Sequence, residues 1–440
     1  MSAAGTGARK AAHEALTATL RRKFPLDLAL DESTTAHGLE PRDRGFARAI
    51  ANETLRRFGQ LDDLVKRFVP RPPSPYRAGS TLEILLAGTC ELLFLGVPAH
   101  AAVDGANLLA AGDSKAVHFK PLINASLRRI AREGQAIAQS QDAARLNTPD
   151  WLWTRWCEGY GEDTTRAIAG VHAQTPPLDL WVRSPDIFRQ QQIFPVPRAT
   201  AERKESFGEI IRLEHAGNIE ELEGFADGAF WVQDFAASLP VRLFGDVRGR
   251  SAIDLCAAPG GKTAQLAAGG AQVTAVERDA ARLARLTANF KRLKLEAQFV
   301  CADMRDFEPD RLADCVLLDA PCSATGTIRR HPELPWIKSP GDIAACSDAA
   351  GELLDAAAAM VAPGGMLVFA VCSLEPEEGE EQISHFLRRN GQFRRVPVDA
   401  DELFGLAELI TSDGDLRTLP CHRAEQGGMD GFYSARLTRS

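Results

Sequence analysis

The chain has 440 residues, 45% hydrophobic, 25% charged and 7% aromatic, with 51 Lys and Arg against 59 Asp and Glu for a net charge of −8. This is a globular composition long enough for about three domains, and its acidic average excludes a generic nucleic-acid coat. Nine scattered cysteines without a C-x2-C pair argue against a disulfide framework and a zinc site, and no secretory or membrane-spanning apolar run occurs. The expectation is a soluble, monomeric, metal-free protein of the reducing cytoplasm.

Charge is unevenly distributed. Residues 1–135 hold 19 Lys and Arg against 14 Asp and Glu, a net of +5, and the remainder 32 against 45, or −13. Such a split suggests modules with different partners.

In chain order, apolar residues recur at helical spacing through Ala11, Leu16 and Leu20, then Phe46, Ile50 and Leu55, then Leu61, Leu64 and Phe68. Pro70, Pro72, Pro73 and Pro75 interrupt the pattern. Helices are predicted again over Leu82–Leu95, Ala99–Ala110 and Pro121–Arg132. An all-α domain is expected over 1–135. The stretch 134–147 reads as a connector, and 136–172 as a helical linker. Residues 173–240 read as a small intermediate subdomain with extended segments near Leu178–Arg183 and Glu209–Leu213. From 251, apolar runs at 252–256, 272–276, 298–301, 314–318 and 366–371 alternate with helical segments at 279–294 and 343–361. A closing strand is predicted at Gly431–Leu437. That alternation predicts a doubly wound parallel sheet for 241–440.

The first strand of this region ends in Cys256, Ala257, Ala258, Pro259, Gly260, Gly261 and Lys262, and a helix follows. Small residues at such a turn let a ligand approach the backbone. G-x-G-x-x-G and the phosphate loop G-x4-G-K-[ST] are both absent, and the first absence argues against a nicotinamide oxidoreductase. Glu277 ends the next strand, where an acid can hold both ribose hydroxyls, and Asp303 ends the third, where it can face an adenine. The set suits S-adenosylmethionine, which has ribose and adenine but no phosphate.

Cys322 follows Asp319 just past one strand, and Cys372 follows another. In an open α/β sheet both positions lie at the ligand-binding edge. A thiol pair beside a carboxylate suits methylation of a pyrimidine at carbon 5. A thiolate adding at carbon 6 makes carbon 5 nucleophilic, and an acid at the N3 edge supports the developing charge.

IDLCAAPGGKT (253–263), LLDAPCSATGTIRRHPELPW (317–336) and VCSLEPEEGEEQI (371–383) resemble the motifs of the RNA cytosine-5 methyltransferases, and most closely the RsmB (Sun/Fmu) group. WVQDFAA (231–237) and GMDGFYSARL (428–437) are similar to further segments of that group. PRDRGFA (41–47), ETLRRFGQLDDL (53–64), VPAHAAVDGAN (97–107) and INASLRRIARE (123–133) are similar to its NusB-like RNA-binding domain. The resemblance implies a NusB-like helical domain, an RRM-like α+β insertion and a Rossmann-like class I methyltransferase core. It implies methylation of 16S ribosomal RNA, with Cys372 as nucleophile, Cys322 assisting release and Asp319 at the cytosine N3 edge. Residues Cys256 to Lys262, with Glu277, Asp303 and Asp319, would hold S-adenosylmethionine, and Lys262 would sit near the base. The sequence departs from the group at Val371 (commonly threonine), Glu277 (commonly aspartate) and Ala237 (commonly serine), none of them a reacting group.

A base inside a helix is out of reach, so the target cytosine must be flipped or single-stranded. Expected RNA contacts are Arg329, Arg330 and His331 on the loop after Cys322, together with Arg128, Arg129 and Arg132 in the helical domain, and Arg183 and Lys204 before the core. The rival readings are the same chemistry on transfer RNA or another ribosomal RNA site, and a catalytically silent RNA-binding assembly factor.

Overall fold

The structure is a computed structural model and describes residues 4–183, 209–214 and 217–440. Lys204, a predicted RNA contact, lies outside the described residues. The chain divides into two compact units. One comprises Met1–Gln174 together with the later segment Ile328–Ser339, and the other Thr175–Thr327 with Pro340–Ser440. Among the described residues no helix is long and apolar enough to cross a membrane.

The first unit is helical, with its principal helices at Ala4–Arg22, Leu26–Ala36, Pro41–Arg56, Phe58–Phe68, Thr81–Leu93, Ala99–Gly112, Lys120–Ser140, Asp150–Tyr160 and Glu162–His172. Their apolar stripes close two cores. Leu16, Leu26, Leu30, Ile50 and Leu55 meet in one, and Leu61, Val65, Ile84, Leu85, Ile123, Leu127 and Ile130 in the other. Burying each such side chain is worth about 1.5–3 kcal/mol. The predicted connector at 134–147 is corrected in its first half, because one helix runs unbroken from Lys120 to Ser140. Gln135 to Gln139 are good helix formers with few large apolar groups, so propensity carries the helix where the apolar periodicity has faded.

The second unit opens with a three-stranded antiparallel sheet, β1 (Leu178–Val182), β2 (Glu209–Leu213) and β3 (Phe230–Val232), in the order β2-β1-β3. Leu180, Val182, Ile211 and Phe230 pack on one face. Trp181 and Trp231 stack on the other with centroids 4.3 Å apart and join the core of the larger sheet. The buried Asp179 carboxylate accepts two hydrogen bonds from Arg212, at 2.6 and 2.7 Å, and one from the Phe235 amide.

The larger sheet comprises β4 (Ser251–Leu255), β5 (Gln272–Glu277), β6 (Gln298–Cys301), β7 (Ala313–Asp319), β8 (Val361–Val371), β9 (Phe393–Arg395), β10 (Leu416–Thr418) and β11 (Phe432–Arg439). Its order is β10-β11-β8-β7-β4-β5-β6, with β9 also pairing β11. β4 to β8 are parallel, as their continuous apolar runs require of strands covered on both faces. Ala252, Leu317 and Val368 pack to one side; Ile253, Leu255, Val316, Leu318 and Phe369 pack to the other. The sheet is mixed rather than wholly parallel, because β11 enters antiparallel to β8 and extends it with β9 and β10.

Candidate active site

The chain moves outward from β4 through β5 to β6, then returns to the other side of β4 as β7 and β8. Ligands in open α/β sheets bind at such a reversal, beyond the carboxyl ends of the strands. Leu255 pairs with Leu318, and Asp319 with Ala370. The glycine turn, the Asp319–Cys322 segment and Val371–Cys372 therefore leave adjacent strand ends.

The turn is shaped by backbone geometry. Gly260 has φ +104°, and a Cβ there would stand 2.8 Å from Leu286 Cγ, so a glycine is needed on both counts. Gly261 starts the helix Gly261–Ala268. Just before the turn lies Asp254, 1% exposed, whose Oδ2 accepts a 2.5 Å hydrogen bond from the Thr263 hydroxyl. Burial pushes its carboxyl from 3.8 up to about 7, with Thr263 opposing the shift and Asp319 adding to it. The folded state thus holds a proton that the unfolded chain releases at much lower pH. Stability from this group is complete below the ordinary carboxylate range and is lost as pH rises through about 7. The thermal midpoint is expected to fall over that window, with a shallower slope in Asp254→Asn. Equal slopes in the two proteins would remove Asp254 as the cause.

Beside the turn is a cavity of about 270 Å³ lined by Cys256, Glu277, Asp303 and the apolar Val276, Met304 and Leu353, among others. Glu277 is 2% exposed, and its carboxylate accepts from the amides of Ala258, at 3.3 Å, and Asp279, at 3.0 Å. Asp303 is held well below the usual carboxylate range, chiefly by hydrogen bonding from the Arg305 side chain and amide. Burial pushes the Cys256 thiol up to about 12, so it lines the cavity as a neutral group. Two acids beside apolar side chains and the glycine turn are groups that could hold an adenosyl moiety.

Cys322 Sγ and Cys372 Sγ lie 3.5 Å apart. The hydrogen bond to Cys372, followed by burial, holds the Cys322 thiol well above its ordinary value. Beside them Lys262 Nζ donates to Asp319 Oδ2 at 2.7 Å and sits 4.9 Å from the centre of the Phe432 ring. Burial opposes the Lys262 charge, but Asp319 and then Cys372 outweigh it, and the ammonium is favoured more than in water. Lys262, Asp319, Cys322 and Cys372 are thus gathered at the predicted edge. Sequence reasoning passed over Ser323 and Ser373, both fully buried, and Glu378, although a Cys-Ser pair at each strand end was the available signal.

The predicted RNA contacts fare less uniformly. Arg329 is fully buried, which corrects the expectation that the whole loop after Cys322 faces the substrate. Ile328–Ser339 packs within the helical unit. Arg56 donates to the carbonyl oxygen of Arg329 at 2.8 Å, and Trp336 donates to that of Leu55 at 3.0 Å and rests on Phe58. Arg330 is half-buried, and His331 lies within 3.8 Å of both Asp27 and Glu333. Arg128 and Arg129 are exposed on the helix Lys120–Ser140. In the second unit, Arg183 donates to the carbonyl oxygen of Leu293 at 2.9 Å.

The strand order, the glycine turn and a cavity beside it lined by two acids are those of an S-adenosylmethionine-dependent methyltransferase. Residues 246–438 match the 16S rRNA methyltransferase RsmB/F family, and residues 6–132 match the NusB family. The chain is 34% identical to ribosomal RNA small subunit methyltransferase B of Vibrio cholerae over 91% of each chain, and 34% identical to that of Pseudomonas putida over 98% of each. It belongs to this RNA methyltransferase family. Among solved structures, that of PH0851 superposes with a TM-score of 0.75 at 23% identity over 98% of each chain. A methyltransferase homologue from Pyrococcus horikoshii gives 0.52 at 24% identity, over 65% of this chain and 94% of that one. Both likenesses concern the fold.

Proposed function

We propose that the enzyme methylates carbon 5 of a cytosine in 16S ribosomal RNA through a covalent bond between Cys372 and carbon 6, with Cys322 serving release. The observation that carries this reading is the pair of sulfurs 3.5 Å apart beside the Lys262–Asp319 pair. The names of the relatives support the small-subunit RNA as substrate.

S-adenosylmethionine would be held by the glycine turn, Glu277 and Asp303, and when bound would supply an electrophilic methyl group on a sulfonium. The Cys372 thiolate adds to carbon 6, and the displaced electron pair makes carbon 5 nucleophilic. Lys262, which donates to Asp319, and Asp319 itself stand at the N3 edge and stabilise the charge that develops there. After carbon 5 is methylated its proton passes to water, the ring double bond re-forms, and the carbon–sulfur pair returns to Cys372. Cys322, kept as a thiol, is placed to give that departing sulfur a proton.

Two segments of the helical unit carry a high density of positive charge. Residues 64–82 hold four Lys and Arg and residues 114–132 hold five, with no Asp or Glu in either. Lys66 and Arg67 pair with Asp62 and Asp63, so the charge available to phosphates comes chiefly from Arg71, Arg77, Lys115, Lys120 and Arg128. Lys115 also lies 4.9 Å from the ring centre of the highly exposed Tyr76. This surface, which includes the exposed Arg128 and Arg129, suits RNA.

Bisulfite mapping of 16S RNA from cells with and without the gene tests base and substrate together. One cytosine is expected to lose its protection when the gene is deleted. An unchanged map would overturn the assigned substrate.

A further inference from the structure

Each cysteine of the pair is followed directly by a serine, and both serines are completely buried. Between them stands Glu378, itself 0% exposed, on the short helical turn Pro376–Glu378 that follows β8. Its Oε1 accepts from the Ser323 amide at 2.8 Å, and its Oε2 accepts from the Ser323 hydroxyl at 2.6 Å. The Ser373 hydroxyl also donates to Oε2. The two hydroxyl oxygens are 3.3 Å apart, close to the 3.5 Å between the sulfurs one residue earlier.

We propose that Glu378 is a positioning residue, its carboxylate fixing the gap between the two thiols through the serine that follows each. The proposal rests on the two-thiol reading and deepens it.

The cost of this arrangement argues that it has a purpose. A carboxylate buried without its own cation is unfavourable unless hydrogen bonds replace its water, and here three donors do so, two from one cysteine turn and one from the other. Burial still pushes the Glu378 carboxyl up, against the serine hydrogen bonds. Secondary ties follow the same pattern. The Thr325 hydroxyl oxygen accepts from the Leu374 amide at 3.0 Å, and the Gly326 amide donates to the carbonyl oxygen of Cys372 at 3.0 Å. A Cβ on Gly326 would stand 2.0 Å from the carbonyl oxygen of Gly431, so this crossing leaves the turn no room to drift.

Attack and release depend on the clamp differently. Addition to carbon 6 needs only Cys372 at the base. Release needs Cys322 within hydrogen-bond reach of the departing sulfur, and a displacement of about 1 Å costs on the order of a hundredfold in rate. Loss of the clamp therefore slows release more than attack.

The test uses the full-length enzyme, in-vitro-transcribed 16S RNA and labelled S-adenosylmethionine, and compares Glu378→Gln with Cys322→Ala. Gln keeps the shape and one acceptor, but it presents an amide donor where the second hydroxyl donates. The expected result is a near-normal first turnover, a steady-state rate lower by roughly ten- to a hundredfold, and a denaturant-stable RNA adduct approaching that of Cys322→Ala. The double variant Ser323→Ala, Ser373→Ala carries the same test should Glu378→Gln fold poorly. Wild-type turnover, or parallel loss of first and later turnovers without adduct, overturns the positioning role. An adduct in Cys322→Ala but none in Glu378→Gln overturns it alone. Absence of adduct in Cys322→Ala overturns the two-thiol reading on which it stands.

Discussion

Cys372→Ala is expected to abolish methyl transfer while leaving the fold and cofactor affinity intact. Carbon 5 of cytosine is not nucleophilic on its own, so removing the thiolate removes the reaction path rather than one stabilising contact. Losing a covalent nucleophile costs on the order of ten-thousandfold or more in kcat. Stability should change little. Cys372 is half-buried at the end of β8, only its sulfur is lost, and its carbonyl oxygen still accepts from Gly326 in the alanine variant. Labelled methyl incorporation into 16S RNA, read beside calorimetric binding of S-adenosylhomocysteine, separates these effects. Incorporation that persists with normal binding would show that another group attacks the base.

The parts of the site that proved legible in the sequence are those whose chemistry is local in the chain. The turn from Cys256 to Lys262 is fixed by glycine conformations and by the strand before it. The two cysteines are placed by strand ends that apolar runs make visible. Other residues depend on packing that periodicity does not encode. Arg329 lies in an arginine pair that reads as a basic loop, yet the segment folds into the helical unit and buries it completely. Glu378 stands in the acidic run EPEEGEE and looks like a solvated face, but the turn after β8 directs it inward onto two serines. β9 and β10, three residues each, are too short to give a pattern. The closing strand was legible as a strand but not in its direction: β11 runs antiparallel to β8 and makes the expected parallel sheet a mixed one.

Several polar groups at this sheet edge are buried at a cost to stability: Asp254, Lys262 and Glu378 are each less than 10% exposed. For two of them burial displaces the carboxyl upward, and for Lys262 it opposes a charge that Asp319 restores. A protein optimised for stability alone would place apolar side chains here. Their concentration around the two thiols separates this edge from the opposite ends of the same strands, where a larger cavity of about 760 Å³ is lined by Ser251, Gln272, Gln298 and Ala313 but holds no cysteine.

Cys322→Ala should produce a different failure from Cys372→Ala: one round of chemistry and then arrest. The attacking thiol remains, so RNA is captured and carbon 5 methylated. The departing sulfur has then lost the neighbouring S–H that stands 3.5 Å away. Cys322 suits the role by its contact with Cys372. The hydrogen bond to Cys372 and burial keep it a thiol at neutral pH, and it yields its proton only as negative charge builds on the departing sulfur. Alanine leaves a small gap beside Cys372 and no donor to fill it, so the adduct becomes the resting state. On a denaturing gel, enzyme mixed with 16S RNA and S-adenosylmethionine should show a slower band, destroyed by ribonuclease and formed in at most one equivalent. Steady-state turnover should fall by on the order of a hundredfold or more. Adding Cys372→Ala to this variant must eliminate the band. A band that survived would place the covalent bond on another residue and remove Cys372 as the attacking group.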